Sequence, residues 1–300
     1  MATIRESLSY KPVELQFGTS GLRGLVKDMT DLECYINTLG FLAFTSQTDA
    51  LKPGSKVFVA ADLRRSSVRM LRAVDKAIVD SGFRTVNCGL IPTPALASYA
   101  MSQKAPCVMV TGSHVPDDRN GIKFYKLGGE VLKEDELVIR QAVTQARATL
   151  YALPAEQFTP EGMLTQPREL PAEDPAARQH FMRRFVGVFG GTTLAGKKVV
   201  CYDHSSVGRD MLAQLLTDMG ATVVSVGRSE AFVPVDSENV TPDDRAYFKV
   251  IAEQHPDVFA IVSSDGDSDR PFMIDETGMF HRGDVLGALV ADWLDADAAA

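Results

Sequence analysis

The sequence predicts an α/β protein built from repeated three-layer domains with mixed, mostly parallel sheets. Three observations carry that expectation. Short buried-strand runs alternate with helical stretches, as at Lys56–Ala61, Val68–Ser81 and Thr85–Cys88. The same rhythm starts again after a proline-rich interruption between Pro154 and Pro175. Polar segments follow directly on strand ends, where parallel α/β sheets place their ligands.

Each element has a local reason. Lys56–Ala61 reads as a buried strand, and Asp62–Ser67 as the loop that follows it. Val68, Leu71, Val74 and Ile78 give the next helix an apolar face, and Gly82 ends it. Thr85–Cys88 is a strand, followed by the turn Pro92-Thr93-Pro94 and a helix through Met101. Cys107–Val110 is a third strand, and Glu134–Leu150 a helix closing the first domain. The second domain repeats the pattern: helix Ala177–Phe189, strand Lys198–Tyr202, helix Met211–Met219, strand Thr222–Val226, helix Pro242–Gln254 with Thr241 as its N-cap, and strand Val258–Val262. Ile274–Gly278 reads as a strand end and turn, and Gly283–Trp293 as an amphipathic helix. The expected organisation is a first domain over 1–153, a linker over 154–175, a second domain over 176–281, and the start of a truncated third domain over 282–300.

Length, charge and cysteine usage narrow the function classes. Three hundred residues suit two domains, or two and a fragment. A formal net charge of −8 argues against a nucleic-acid surface. Cys34, Cys88, Cys107 and Cys201 are scattered and form no close pair, so a reducing, cytoplasmic setting is expected rather than a disulfide scaffold. No stretch of about eighteen apolar residues occurs, so no membrane span is expected.

Three segments carry candidate chemistry. Thr111-Gly112-Ser113-His114 follows the Cys107–Val110 strand, placing a serine where α/β sheets bind ligands, and Lys123 returns on a second apolar run whose alternation points it away from Ile122 and Phe124. Asp265, Asp267 and Asp269 follow another strand at every second position. Three carboxylates so close repel one another, and a hard cation such as Mg²⁺ with oxygen ligands resolves the conflict. The spacing is partly that of a calcium loop, but Pro271–Ile274 reads as strand where such a loop would continue. Arg270 beside them can meet a phosphate bidentately. Phe17–Gly24 places three glycines around Arg23, and is neither a Walker A loop nor a dinucleotide fingerprint. Together the three segments suggest a phosphorylated small molecule handled by a hydroxyl, an amine, a metal and arginines. His180, His255 and His281 share no ligand spacing, His204 and Ser205 read as loop structure, and Phe232 and Pro234 as shaping a domain contact.

These loops resemble those of the α-D-phosphohexomutase family. Thr111–Pro116 stands in the place of the family's phosphoserine loop, and Asn120-Gly121-Ile122-Lys123 follows it as in the family. Asp265–Arg270 matches the family's metal loop Asp-Gly-Asp-x-Asp-Arg, and Gly18–Gly24 its N-terminal motif. The resemblance implies Ser113 as phosphoserine and metal ligand through its phosphate, and Asp265, Asp267 and Asp269 as Mg²⁺ ligands. It implies Lys123 as general acid/base, Arg23 and His114 lining the reacting phosphate, and Ser20, Arg64 and Arg270 in support. A hexose 1,6-bisphosphate would prime the enzyme, which would act on a hexose phosphate as a monomer or homodimer. Gly112 and Val115 depart from the usual Ala and Asn, and the form of this loop is most similar to that of bacterial phosphomannomutases. Mannose phosphate is therefore the expected substrate. Glucose phosphate or dual use, glucosamine phosphate, and a non-catalytic phosphosugar-binding relative stay open as alternatives. The family's sugar-specificity and phosphate-anchoring loops, borne by its third and fourth domains, do not occur in these residues.

Overall fold

Strand formation follows the β-branched and apolar runs, and two mixed sheets result. The computed structural model describes residues 2–18 and 21–294. They divide into two units: residues 1–112 with 117–178, and residues 113–116 with 179–300.

The first unit contains α1 (Ile4–Ser7), β1 (Gln16–Phe17), β2 (Gly21–Leu25), α2 (Asp31–Thr48), β3 (Lys56–Ala61), α3 (Ser67–Asp80), β4 (Arg84–Leu90), α4 (Thr93–Ser102), β5 (Cys107–Val110), β6 (Arg119–Lys126), β7 (Gly129–Glu130) and α5 (Asp135–Tyr151). The sheet order is β1-β2-β6-β5-β3-β4, with β7 on β6. Strands β4, β3 and β5 are parallel, and β6 returns antiparallel to β5 with Lys123 opposite Met109. Alternate residues Val57, Val59, Val108, Val110, Ile122 and Phe124 join α2, α3 and α5 in one core, where Phe41 stacks on Phe124 at 4.5 Å. The opposite face takes Phe58, which meets Tyr99 of α4 edge-on at 5.3 Å. Buried Glu33 of α2 is bound through both oxygens by Arg147 of α5 at 2.5 and 2.8 Å.

The proline-rich stretch, expected as a linker, lies along this first unit. Phe158 and Leu164 are buried in its core, Asn87 donates to the Pro171 carbonyl at 2.9 Å, and Arg168 meets buried Asp75 at 3.0 Å.

The second unit carries most of α6 (Ala176–Phe189), then β8 (Lys198–Tyr202), α7 (Arg209–Asp218), β9 (Thr222–Val226), α8 (Pro242–Gln254), β10 (Ala260–Ser264), β11 (Pro271–Asp275), β12 (Phe280–Arg282) and α9 (Gly283–Trp293). Its sheet order is β12-β11-β10-β8-β9, with β9, β8 and β10 parallel. Thr241 caps α8 and forms a capping box with Asp244. Val200, Ile261 and Phe272 pack with Phe248 and Ile251 of α8. Helix α9 buries none of its residues, and Val285, Leu289 and Trp293 are exposed along it.

All four cysteines are buried thiols, and burial pushes those of Cys34, Cys88 and Cys201 up to about 12. Among the described residues no helix is long and apolar enough to cross a membrane.

Candidate active site

Of the residues singled out in the sequence, Arg23, Arg64 and Lys123 belong to the first unit, and Ser113, His114, Asp265, Asp267, Asp269 and Arg270 to the second. Ser20 lies outside the described residues.

In the first unit the loop after β3 is organised around Asp62, which is fully buried. Its Oδ1 accepts from Ser67 Oγ at 2.5 Å and from the Arg64 N–H at 3.1 Å. Its Oδ2 accepts from Arg64 Nε at 3.2 Å, Thr111 Oγ1 at 2.8 Å and the Gly112 N–H at 3.3 Å. Burial raises the Asp62 carboxyl above its ordinary value, while Arg64, Ser67 and Thr111 favour its charged form. Arg64 is itself buried and donates through Nη1 to the Arg119 carbonyl at 3.1 Å. Its guanidinium lies against Gly112, where a Cβ would stand 2.7 Å from both Cζ and Nε. The glycine that departs from the usual alanine is thus the residue that leaves room for Arg64. Lys123 is buried on β6 between Met109 of β5 and Gly21 of β2, and Arg23 on β2 is half-buried opposite Gly121. Phe17–Gly24, read as a loop, takes in Phe17 of β1 and most of β2, and the two strands pair antiparallel with Phe17 opposite Leu22.

In the second unit the turn holding Ser113 meets the loop after β10. Ser113 is fully buried and sits at φ +55°, a left-handed conformation that an L-residue adopts at a cost. Its hydroxyl donates to Asp265 Oδ2 at 2.5 Å. Gly266 permits this approach, since a Cβ there would lie 2.6 Å from the Ser113 carbonyl oxygen and 3.0 Å from the Phe232 ring. Arg270 Nη1 lies 2.9 Å from His114 Nδ1 and 3.4 Å from Glu238 Oε2. A guanidinium is only a donor, so Nδ1 accepts and the imidazole carries its proton on Nε2.

Asp265, Asp267 and Asp269 each bring one carboxylate oxygen to within 4.8 Å of the others, and the first two are buried. An all-oxygen, anionic donor set packed this closely fits a hard divalent cation such as Mg²⁺. The sequence was silent on what positions this loop. His204, at the end of β8, is fully buried at φ +29°, and its Nε2 donates to the Ser264 carbonyl at 2.7 Å. Desolvation lowers its pKa from 6.5 to about 4, with a hydrogen bond to Ser264 acting the other way.

That shift has a pH consequence. The unfolded chain takes up a proton on this imidazole near pH 6.5, whereas the folded chain resists it until about pH 4. Stability from this group is complete above pH 6.5 and falls as the pH drops toward 4, by about 3 kcal/mol in all. In urea melts between pH 7 and 5, His204→Gln should lose stability less steeply than the parent. Parallel slopes would contradict a neutral buried His204.

Residues 14–149 match the domain family described as "Phosphoglucomutase/phosphomannomutase, alpha/beta/alpha domain I". Over 286 residues the chain is 41% identical to a phosphomannomutase of Salmonella muenchen, covering 95% of this chain and 55% of that protein. The chain is thus similar to the phosphoglucomutase/phosphomannomutase family over most of its length. A phosphomannomutase of Sinorhizobium fredii is 39% identical over 285 residues, covering 94% of this chain and 57% of that protein. Among solved structures, a phosphoglucomutase/phosphomannomutase family protein from Burkholderia thailandensis shares the fold with a TM-score of 0.68 at 22% identity, over 95% of this chain and 59% of that one. The chain therefore spans little more than half the length of the family members it matches.

Proposed function

We propose that the protein of which this chain forms part is a phosphomannomutase, interconverting mannose 6-phosphate and mannose 1-phosphate through a phosphoserine at Ser113 and a hexose 1,6-bisphosphate. The observation that carries the reading is the Ser113 hydroxyl, 2.5 Å from a carboxylate of the three-aspartate cluster. A buried serine bonded to one acid of a three-carboxylate cluster is poorly explained as packing. It suits a phosphoryl carrier whose negative charge is neutralised at the same spot. The names of the two relatives near 40% identity favour mannose over glucosamine.

In this reading the phosphorylated Ser113 gives its phosphoryl group to a free hydroxyl of the hexose phosphate. The Ser113 Oγ–P bond breaks and a sugar O–P bond forms, while the hydroxyl proton passes to the Lys123 amine. The resulting bisphosphate reorients and returns its other phosphoryl group to Ser113, and Lys123 gives the proton back to the oxygen that is freed. Asp265, Asp267 and Asp269 would hold Mg²⁺, which, when bound, offsets charge on the transferring phosphoryl group. Arg23, His114 and Arg270 orient the phosphate oxygens by donating to them. Asp62 and Arg64 position Thr111 and Gly112, and through them the backbone entering Ser113.

The test is steady-state turnover of the whole protein with Mg²⁺ and glucose 1,6-bisphosphate, comparing mannose 1-phosphate with glucose 1-phosphate. A higher kcat/KM for mannose 1-phosphate is expected, and a higher value for glucose 1-phosphate would replace the substrate assignment. Asp267→Asn keeps the side chain's shape and removes its charge. It should raise the Mg²⁺ concentration for half-maximal turnover by about tenfold or more. An unchanged Mg²⁺ titration would contradict the metal assignment.

A further inference from the structure

The loop Ser264-Asp265-Gly266-Asp267-Ser268-Asp269 alternates between two kinds of residue, and the structure uses them on two different sides. The odd-numbered positions are the three clustered carboxylates. The even-numbered positions are tied, one after another, to the loop between β8 and α7. The Ser264 carbonyl accepts from His204 Nε2 at 2.7 Å, and its hydroxyl lies 3.0 Å from Ser206 Oγ. The Gly266 carbonyl accepts from the Val207 N–H at 3.0 Å. Ser268 Oγ lies 2.8 Å from Ser206 Oγ and accepts from the Gly208 N–H at 3.0 Å.

Ser206 is the hub of this arrangement. Its single buried hydroxyl bridges the residue before the first aspartate and the residue between the last two. Ser268 needs such a hold, because it sits at φ +62° without being glycine. The supporting loop is itself fixed. Buried Arg209 donates from Nη1 to the carbonyls of His204 and Ser229, each at 2.7 Å.

Resting on the metal reading above, we propose that Ser206 is a positioning residue for the metal loop. Its hydroxyl, with Ser268 and the His204 ring, sets the spacing of the three carboxylates before any cation arrives. Three carboxylates left to themselves spread apart, and bringing them together would then weaken metal binding. A scaffold that holds the intervening residues removes that cost, as groups outside the ligand shell do when they orient ligands.

The experiment uses Mn²⁺ as the probe, titrated into the full chain and read by the loss of its free-ion electron paramagnetic resonance signal. Ser206→Ala, Ser268→Ala, the double variant and Asp267→Asn are compared with the parent, alongside metal-free melting temperatures. Binding by the parent that Asp267→Asn abolishes establishes the metal site independently of the latch. Ser206→Ala and Ser268→Ala should each weaken Mn²⁺ binding roughly tenfold, and the double variant by less than the product of the two losses, because the two hydroxyls share one bond. Metal-free melting temperatures should stay close to the parent's for Ser268→Ala, whose side chain is only half-buried. A parent that binds Mn²⁺ alongside serine variants that bind it equally well would overturn the latch and leave the metal site standing. Losses that multiply in the double variant would also overturn it, showing two independent effects. A parent that binds no Mn²⁺ would overturn the metal reading and the latch with it.

Discussion

Ser113→Ala should abolish mutase turnover, with a loss of about 10⁴-fold or more, while leaving the chain folded. The hydroxyl is the atom that would carry the phosphoryl group, and it donates to the Asp265 carboxylate. Its packing role is small. Alanine keeps the Cβ, and the backbone at φ +55° is as costly for alanine as for serine. What is lost structurally includes the hydrogen bond to the Asp265 carboxylate, about 1–3 kcal/mol. The measurement pairs turnover of mannose 1-phosphate with circular dichroism and a urea melt. Parental turnover in a folded variant would contradict the phosphoserine assignment. Ser113→Gly makes a second comparison, because it relieves the backbone cost without restoring the nucleophile. It should fold at least as well as the alanine variant and be as inactive.

Arg64→Ala should destabilise the first unit by about 3–5 kcal/mol at neutral pH. Both members of the Arg64–Asp62 pair are fully buried, 3.2 Å apart. Removing the guanidinium leaves a carboxylate in the interior with hydroxyl and amide donors only, and opens space against Gly112. The carboxyl is already raised by burial, and losing Arg64 raises it further. An acid whose folded pKa exceeds its unfolded one weakens the fold above that pKa, and the penalty fades as the pH falls through it. The deficit of Arg64→Ala against the parent should therefore be largest near pH 8 and shrink toward pH 5. Arg64→Lys should fall between the two, since it keeps a charge but loses the fork that also reaches the Arg119 carbonyl. A pH-independent loss under 1 kcal/mol would contradict the buried hub.

The elements that the sequence made legible are those whose burial is one-sided or whose ends are marked. Cys107–Val110, Lys198–Tyr202 and Thr222–Val226 are strands at their expected bounds because each is a short apolar run between polar segments. Pro242–Gln254 is likewise a helix as expected, fixed by Thr241 at one end. The helix Asp31–Thr48 was missed for the opposite reason. It is buried on nearly all sides, so no apolar stripe stands out, and Asn37, Thr38 and Thr45 read as polar. Each of these three satisfies its side chain on a carbonyl one turn back, which lets a polar residue sit in the core. The carboxylate triad was legible because the chemistry is local, three acids at every second position. The β8–α7 loop that holds it was not. Ser206 and Ser268 are 62 residues apart, and only the fold makes them neighbours. Asp62 could have been found earlier, since Asp62-Leu63-Arg64 and Ser66-Ser67 follow a strand end with a buried acid's partners already at hand.

The most direct test of the account is peptide mass spectrometry of the protein after incubation with Mg²⁺ and glucose 1,6-bisphosphate, followed by a chase with mannose 1-phosphate. The account predicts one phosphoryl group on Ser113 that disappears from the protein and is recovered in the hexose phosphate pool. A phosphoryl group on another residue, or one on Ser113 that the sugar cannot remove, would contradict it.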